Sequence, residues 1–260
     1  MLKWSTTTSK NTQGVIIASD QKQEWLLTWW WENYSKYNTF PVTFVNLGLS
    51  KEAQEFCKKK GKLLNIRNHE NVLLSLKNQL QKETSPSQDS ISLYESQSID
   101  KRLCWHQKPL AMLETPYLHT LWLDLDCEVR DCLSPLFQQI VNKDAILICP
   151  EHVDIQERLR KQEEIAQDEV IFNSGVMGFR KGSSYILEWA QSTLKEASHH
   201  LGDQNLLSKL LHIHKWQVQL LDPLYNWHGS IYEIPPQVKI IHWAGETGKL
   251  LLSLKLLVKH

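Results

Sequence analysis

With 260 residues, the chain is long enough to bury a sizeable core and to form one large domain or two small ones. Lysine plus arginine and aspartate plus glutamate each total 29, so the formal net charge is zero, which excludes a basic footprint for nucleic acid or an anionic membrane. The five cysteines are odd in number and lack paired metal-ligand spacing, so free thiols in a reducing compartment, the cytoplasm, are expected.

The first fourteen residues are polar and lack the apolar centre of a signal peptide, and no run of 18 apolar residues exists to span a membrane. Val15-Ile16-Ile17-Ala18 reads as a first strand ending at Ser19-Asp20. From Gln23 to Tyr37, Trp25, Leu26, Trp29, Trp30 and Asn33 recur at helical spacing. Pro41 to Leu47 reads as a second strand, Ser50 as the N-cap of a helix through Lys59, and Lys62 to Ile66 as a third strand. This alternation predicts an α/β fold with a mostly parallel central sheet flanked by helices. Ser19-Asp20 would then lie at a strand's carboxyl end, where ligands of such sheets gather, although Asp20 is equally suited to cap the following helix.

Gln79 to Ser98 is rich in Ser and Gln and reads as a loop insertion within a single domain covering residues 1–260. Lys101 to Leu113 reads as a helix, or as a helix broken near Pro109. The apolar run Leu121-Trp122-Leu123 leads into Asp124-Leu125-Asp126. Residues i and i+2 on a strand share a face, so the two carboxylates should point the same way. They would repel unless a cation lay between them, and Mg2+ or Mn2+ takes such oxygen ligands while leaving places for phosphates.

Ser134-Pro135 reads as the N-cap and first residue of a helix through Val141, Ala145 to Cys149 as a strand, and His152 to Gln167 as a charged helical surface segment. Glu169 to Phe172, a turn at Asn173-Ser174-Gly175, and Val176 to Phe179 read as strand, turn and strand. An amphipathic helix follows from Ser184 to Glu196, and Gly202-Asp203-Gln204 opens another to His212, with Asp203 a candidate N-cap. His212 and His214 lack a partner carboxylate nearby in sequence and read as structural. Gln217 to Leu221 and Val238 to Ile241 are late strands, the second ending in His242. Histidine is a common transition-metal ligand; Gly245 and Gly248 would let the backbone approach a phosphate, and Lys249 could neutralise it. Leu250 to Val258 is a terminal helix packed on the core or a peripheral membrane contact. Most of the eleven tryptophans are expected in the core.

Taken in order, these motifs resemble the glycosyltransferase family 8 group of GT-A fold nucleotide-diphospho-sugar transferases. The anchors are Asp124-Leu125-Asp126, Asn173-Ser174-Gly175, Gly202-Asp203-Gln204, and His242 with Gly245. The resemblance implies that Asp124, Asp126 and His242 hold a divalent metal, commonly manganese, which bridges the donor's pyrophosphate. It implies that Ala18, Ser19 and Asp20 contact the nucleotide base, that Lys108 helps hold donor phosphate, and that Asn173, Asp203 and Gln204 line the sugar pocket. Leu125, Gly245 and Lys249 fall in the donor site by the same likeness. The implied donor is a nucleotide-diphospho-sugar, by default a UDP-sugar, and the implied outcome is retention; the acceptor (carbohydrate, glycolipid or protein) is left open. The chain departs from the family's closing motif, since Gly248 stands where lysine is usual, Lys249 comes one later, and Leu250-Leu251 replace Pro-Trp. Two alternatives stand beside this reading. One is a nucleotide-sugar-binding protein without turnover. The other is a haloacid-dehalogenase-like phosphatase, which expects Thr or Val where Glu128 stands.

Overall fold

The computed structural model describes residues 2–81, 98–229 and 233–257. The elements run β1 (Gln13–Ser19), α1 (Leu27–Tyr37), β2 (Val42–Asn46), α2 (Lys51–Lys60), β3 (Lys62–Asn65), α3 (His69–Gln81), α4 (Ile99–His106) and α5 (Lys108–Met112). Then come β4 (His119–Leu123), β5 (Cys127–Val129), α6 (Ser134–Gln139), β6 (Ala145–Pro150), α7 (Val153–Lys161) and β7 (Phe172–Arg180). The chain closes with α8 (Ser184–Glu196), α9 (Asp203–His214), β8 (Gln217–Leu220), β9 (Ile240–His242) and α10 (Gly245–Leu257).

Seven strands form one sheet in the order β3-β2-β1-β4-β7-β6-β8, and β5 pairs with β9 in a separate two-stranded ribbon. β1 is parallel to both β2 and β4, β2 to β3, and β6 to β8, while β7 runs antiparallel to its two neighbours. The chain first moves outward from β1 to β3 and then returns to place β4 on β1's other side. The carboxyl ends of β1 and β4 therefore flank a topological switch point, where α/β sheets leave a crevice.

Alternate residues of each strand enter opposite layers. Val15 and Ile17 of β1, with Leu121 and Leu123 of β4, pack into one apolar cluster; Ile16 and Trp122 pack into the other. In the first layer α1 buries Leu27, Trp29, Trp30 and Tyr34; Trp30 stacks on Tyr34 at 4.9 Å, and the Tyr34 hydroxyl donates to the Phe40 carbonyl at 2.6 Å. Ser50 caps α2 as expected, its Oγ accepting from the Ala53 N–H at 3.2 Å.

Several local expectations change. Asp124-Leu125-Asp126 is not part of a strand: β4 ends at Leu123, and a turn closed by the Cys127 N–H on the Asp124 carbonyl (3.0 Å) carries both acids. Asn173-Ser174-Gly175 is not a turn between strands but lies inside β7, where the β6 register jumps from Ile148↔Met177 to Cys149↔Asn173. Three β7 residues there lack partners on β6, and this bulge re-aims their side chains. Leu133, not Ser134, is the N-cap of α6, and that helix stops at Gln139. Asp203 is the first helical residue of α9 behind Gly202 rather than its cap. α3 has no counterpart in the sequence reading; its buried stripe is only Val72, Leu76 and Leu80. Gln79 to Gln81 belong to α3 and Ser98 caps α4, while residues 82–97 of the expected loop lie outside the described residues. The Gly245–Lys249 segment, read only as backbone able to approach a phosphate, is the first turn of α10, and Leu252 of that helix is fully buried.

Candidate active site

The turn after β4 sets the acids at the switch point. Asp124 and Asp126 turn toward one cleft while Leu125 between them is buried in the core. Lys108, at the start of α5, is buried beside them. Its Nζ lies 3.0 Å from Asp124 Oδ1, 3.1 Å from Asp203 Oδ2 and 2.8 Å from Ser174 Oγ. Ser174 in turn donates to Asp203 Oδ2 at 2.7 Å, and the Trp122 indole N–H donates to Asp124 Oδ1 at 2.7 Å. One buried ammonium thus joins α5, the β4 turn, the β7 bulge and the start of α9.

β9 brings His242 to the other side of the acids. The ring's Nε2 is 3.3 Å from Asp126 Oδ1 and 3.8 Å from Asp124 Oδ2. Gly175 is what admits the ring, because a Cβ there would stand 2.0 Å from His242 Cε1. Lys249, on the first turn of α10, reaches within 3.7 Å of Asp126 Oδ2. Gly248 lets that turn pack on β9's exit, since a Cβ would meet the Trp243 carbonyl oxygen at 2.5 Å.

The electrostatics of the two acids diverge. Burial pushes the Asp124 carboxyl above its ordinary value even though Lys108 opposes it. Burial acts on Asp126 in the same direction, but His242, with Lys249 and a backbone hydrogen bond, brings that carboxyl down to about 2. The His242 ring is disfavoured as a cation by burial, yet its net shift is upward because Asp126 faces it. Two carboxylates and an imidazole nitrogen converging in one buried place form the donor set of a divalent cation with mixed oxygen and nitrogen ligands. Cys127 is the third member of the closest cluster, its sulfur and donor atoms of Asp126 and His242 all lying within 4.8 Å of one another. It is a poor ligand: burial drives its thiol pKa well up, and the Sγ hydrogen points at the Gly175 carbonyl at 3.7 Å.

A second polar cluster adjoins the first. Glu151, just past β6, has Oε2 accepting from Asn173 Nδ2 at 3.0 Å and Gln204 Nε2 at 3.2 Å. Its Oε1 accepts from the His152 N–H at 3.0 Å and faces His228 Nε2 at 2.9 Å. His228 Nδ1 lies 2.7 Å from the Asn226 carbonyl oxygen, so both ring nitrogens face acceptors. Glu151, Asn226 and His228 were not singled out from sequence. The one available signal was Glu151 itself, an acid just past the carboxyl end of an apolar strand, as Asp124 is past β4.

Burial raises the Glu151 carboxyl, but hydrogen bonds and charge from His228, with Asn173 and the His152 N–H, bring it down to about 2 from 4.5. A folded value below the unfolded one stabilises the fold above about pH 4.5, and that contribution is lost as pH falls through about 2. Glu151→Gln is accordingly expected to lower stability at neutral pH by on the order of 3 kcal/mol. Urea unfolding of both proteins from pH 7 to pH 3 should show the gap narrowing only below about 4.5.

The remaining candidates divide. Ala18 and Leu125 line the cleft with Lys108, Trp122, Asp124, Asp126 and Lys249, and Gln23, Leu47, Cys104 and Trp105 complete its wall. Ser19 and Asp20 sit at the end of β1 but do not line it: Ser19 Oγ donates to the Asp20 carbonyl, and Asp20 Oδ1 accepts the Gln23 N–H at 3.0 Å as a cap on the next turn. Gly245 takes φ +73° at the start of α10 and is also off the cleft wall. His212 and His214 face Asp168 and Glu188 at the surface, away from these clusters. Glu128 is likewise spoken for, accepting from the Trp243 indole and Lys255 at 3.0 and 2.7 Å.

The fold is that of the GT-A glycosyltransferases. The galactosyltransferase LgtC, solved with donor and acceptor sugar analogs, is similar over 90% of this chain and 87% of its own at 15% identity and TM-score 0.59. Mouse xyloside xylosyltransferase 1 is similar over 90% and 97% at 16% identity and TM-score 0.57. The glycosyltransferase GlyE of Streptococcus pneumoniae is similar over 91% of this chain and 55% of its own, with 17% identity and TM-score 0.53. The model of glycosyl transferase family 8 matches residues 62–249, and the chain belongs to that family. No curated protein sequence matches the chain. Family membership makes it a glycosyltransferase and leaves the phosphatase alternative without support.

Proposed function

We propose that this glycosyltransferase moves a sugar from a nucleotide-diphosphate donor, a UDP-sugar, to an acceptor with retention of anomeric configuration and in dependence on Mn2+ or Mg2+. The observation that carries the reading is the convergence of Asp124, Asp126 and His242 at the sheet's switch point beside a lysine-lined cleft. These three residues would hold the ion, which when bound supplies positive charge to the donor's diphosphate.

The protein's own groups do the rest. Lys108 already directs its hydrogens at Asp124, Asp203 and Ser174, so it holds the two acids in place. Lys249, a third exposed at the cleft rim and 3.7 Å from Asp126, turns to a phosphate as negative charge develops on the leaving group. Asp203 and Gln204, at the amino end of α9, and Asn173 in the β7 bulge are assigned to the donor sugar. There they orient hydroxyls and support an oxocarbenium-like transition state. Ala18, Ser19 and Asp20 take the base side, with Leu125 and Gly245 shaping the backbone around the diphosphate. In this reading the acceptor attacks the face from which the leaving group departs.

The acceptor is a carbohydrate, glycolipid or protein. Among the described residues no helix is long and apolar enough to cross a membrane; a peripheral contact would fall on the exposed Leu250, Leu254 and Leu257 of α10. All five cysteines are free, in keeping with the proposed cytoplasmic setting.

UDP release from a panel of UDP-sugars and acceptors tests the assignment. Asp124→Asn and Asp126→Asn are each expected to abolish Mn2+-dependent turnover, and NMR of the product should show the donor's anomeric configuration. Near-normal activity in both variants would remove the metal clamp.

A further inference from the structure

We infer that Glu151 is a positioning residue for His242, acting through Asn173 and Asn226 to fix which imidazole nitrogen faces the two acids. The inference rests on the metal-clamp reading above. Its basis is that the hydrogen bonds linking these four residues allow only one polarity.

The Gly175 N–H can only donate, and it lies 3.0 Å from Asn173 Oδ1. The Glu151 carboxylate can only accept, and its Oε2 lies 3.0 Å from Asn173 Nδ2. Asn173 is pinned from both ends: flipping its amide would set N–H against N–H and oxygen against oxygen. Its Oδ1 being an acceptor, Asn226 must offer Nδ2 to it, at 3.0 Å. That leaves Asn226 Oδ1 toward His242 Nδ1, at 3.1 Å. An amide oxygen only accepts, so Nδ1 carries a proton, which leaves Nε2 as the nitrogen to offer a lone pair to an ion held between Asp124 and Asp126. Glu151, Asn173, Asn226 and His242 are all buried, so solvent cannot substitute for a broken link. The far end of the relay is braced as well, because His228 spans from Glu151 Oε1 to the Asn226 backbone carbonyl. Gln204 belongs to the same set: its amide N–H group is taken by Glu151, which directs its carbonyl oxygen the other way.

Partners of this kind typically change metal affinity by about 10–100-fold when removed. The test is calorimetric titration with Mn2+ alone, without donor, on the full chain. Glu151→Gln places an N–H group where carboxylate oxygens now accept, and it is expected to weaken Mn2+ binding by about 10–100-fold. Asn226→Asp supplies a carboxylate that accepts from His242 Nδ1 whatever Asn173 does. In that background, adding Glu151→Gln should change Mn2+ affinity by no more than about twofold. A charge or folding role for Glu151 would instead cost the same factor in both backgrounds, and that result would overturn the relay. So would a Glu151→Gln protein that binds Mn2+ like the wild type. If Glu151→Gln does not fold, the pair Asn226→Leu and Asn226→Asp makes the comparison. The first should lose Mn2+ binding and the second keep it; equal loss in both rejects the inference. Wild-type protein that binds no Mn2+ would reject the clamp itself, a result distinct from a clamp that is indifferent to Glu151.

Discussion

Lys108→Met should unfold at markedly lower urea concentration than the wild type, with a loss on the order of 3–5 kcal/mol. The lysine is a straight chain of methylenes ending in a charge, and methionine fills most of the same volume, so the change removes the ammonium and little else. What remains is a pair of carboxylates, Asp203 buried and Asp124 a quarter exposed, each about 3 Å from the lost nitrogen, and a Ser174 hydroxyl lacking one of its partners. Burial already pushes the Asp124 carboxyl upward with the lysine present. Without it the site must either take up a proton or open to water. This distinguishes Lys108 from surface lysines such as Lys58, whose pair with Glu55 is exposed and worth little. Equal unfolding midpoints for Lys108→Met and wild type would show that the ammonium is not what holds the acids together.

Gly175→Ala should cost about 10²-fold in turnover, the penalty expected when a catalytic group is displaced by about 1 Å. The added Cβ would sit 2.0 Å from His242 Cε1 and 2.4 Å from Nδ1, closer than any real contact, so the ring must leave its place beside Asp126. Backbone strain is not the cause; the obstacle is the imidazole itself. Gly178→Ala, on the same strand, is the control. Its Cβ meets Ile140 side-chain atoms at 2.9 Å in the apolar layer, so it should lower stability while sparing turnover per folded molecule. Similar turnover in the two variants would mean that the position of His242 is not critical.

The strand–helix alternation up to β3 could be read directly, because each strand is an apolar run bounded by polar residues and each helix has a cap or a periodic face. Asp124, Asp126 and His242 were also legible, as residue types that need a reason to stand next to apolar strands, whereas Lys108 and Asp203 were pointed to only by the family resemblance. Their meeting place was not, since it depends on a turn, a bulge and a ribbon. Leu125, Cys127 and Val129 continue the apolar alternation beyond Leu123, so the stretch looks like one strand; only the pairing of β5 with β9 shows that it is two. Asn173-Ser174-Gly175 has turn chemistry, but neighbours on both sides of β7 override it and absorb the surplus residues as a bulge. α3 buries too narrow a stripe to stand out against its polar residues. The Glu151 cluster was hidden for another reason: Asn173, Gln204, Asn226 and His228 are distant in sequence, and no spacing rule connects them.

Thermal unfolding with Mn2+ and a series of UDP-sugars, repeated with chelator, tests the central claim most directly. A ligand at 100 times its dissociation constant adds about 2.7 kcal/mol. At roughly 2–4 °C per kcal/mol, the expected rise in melting temperature is at least several degrees. That rise is expected for a UDP-sugar only when Mn2+ is present, and it should disappear with chelator and be absent in Asp126→Asn. A rise of the same size with and without the metal, or none with any nucleotide-sugar in the folded wild type, would contradict the assignment of Asp124, Asp126 and His242 as a metal clamp for the donor.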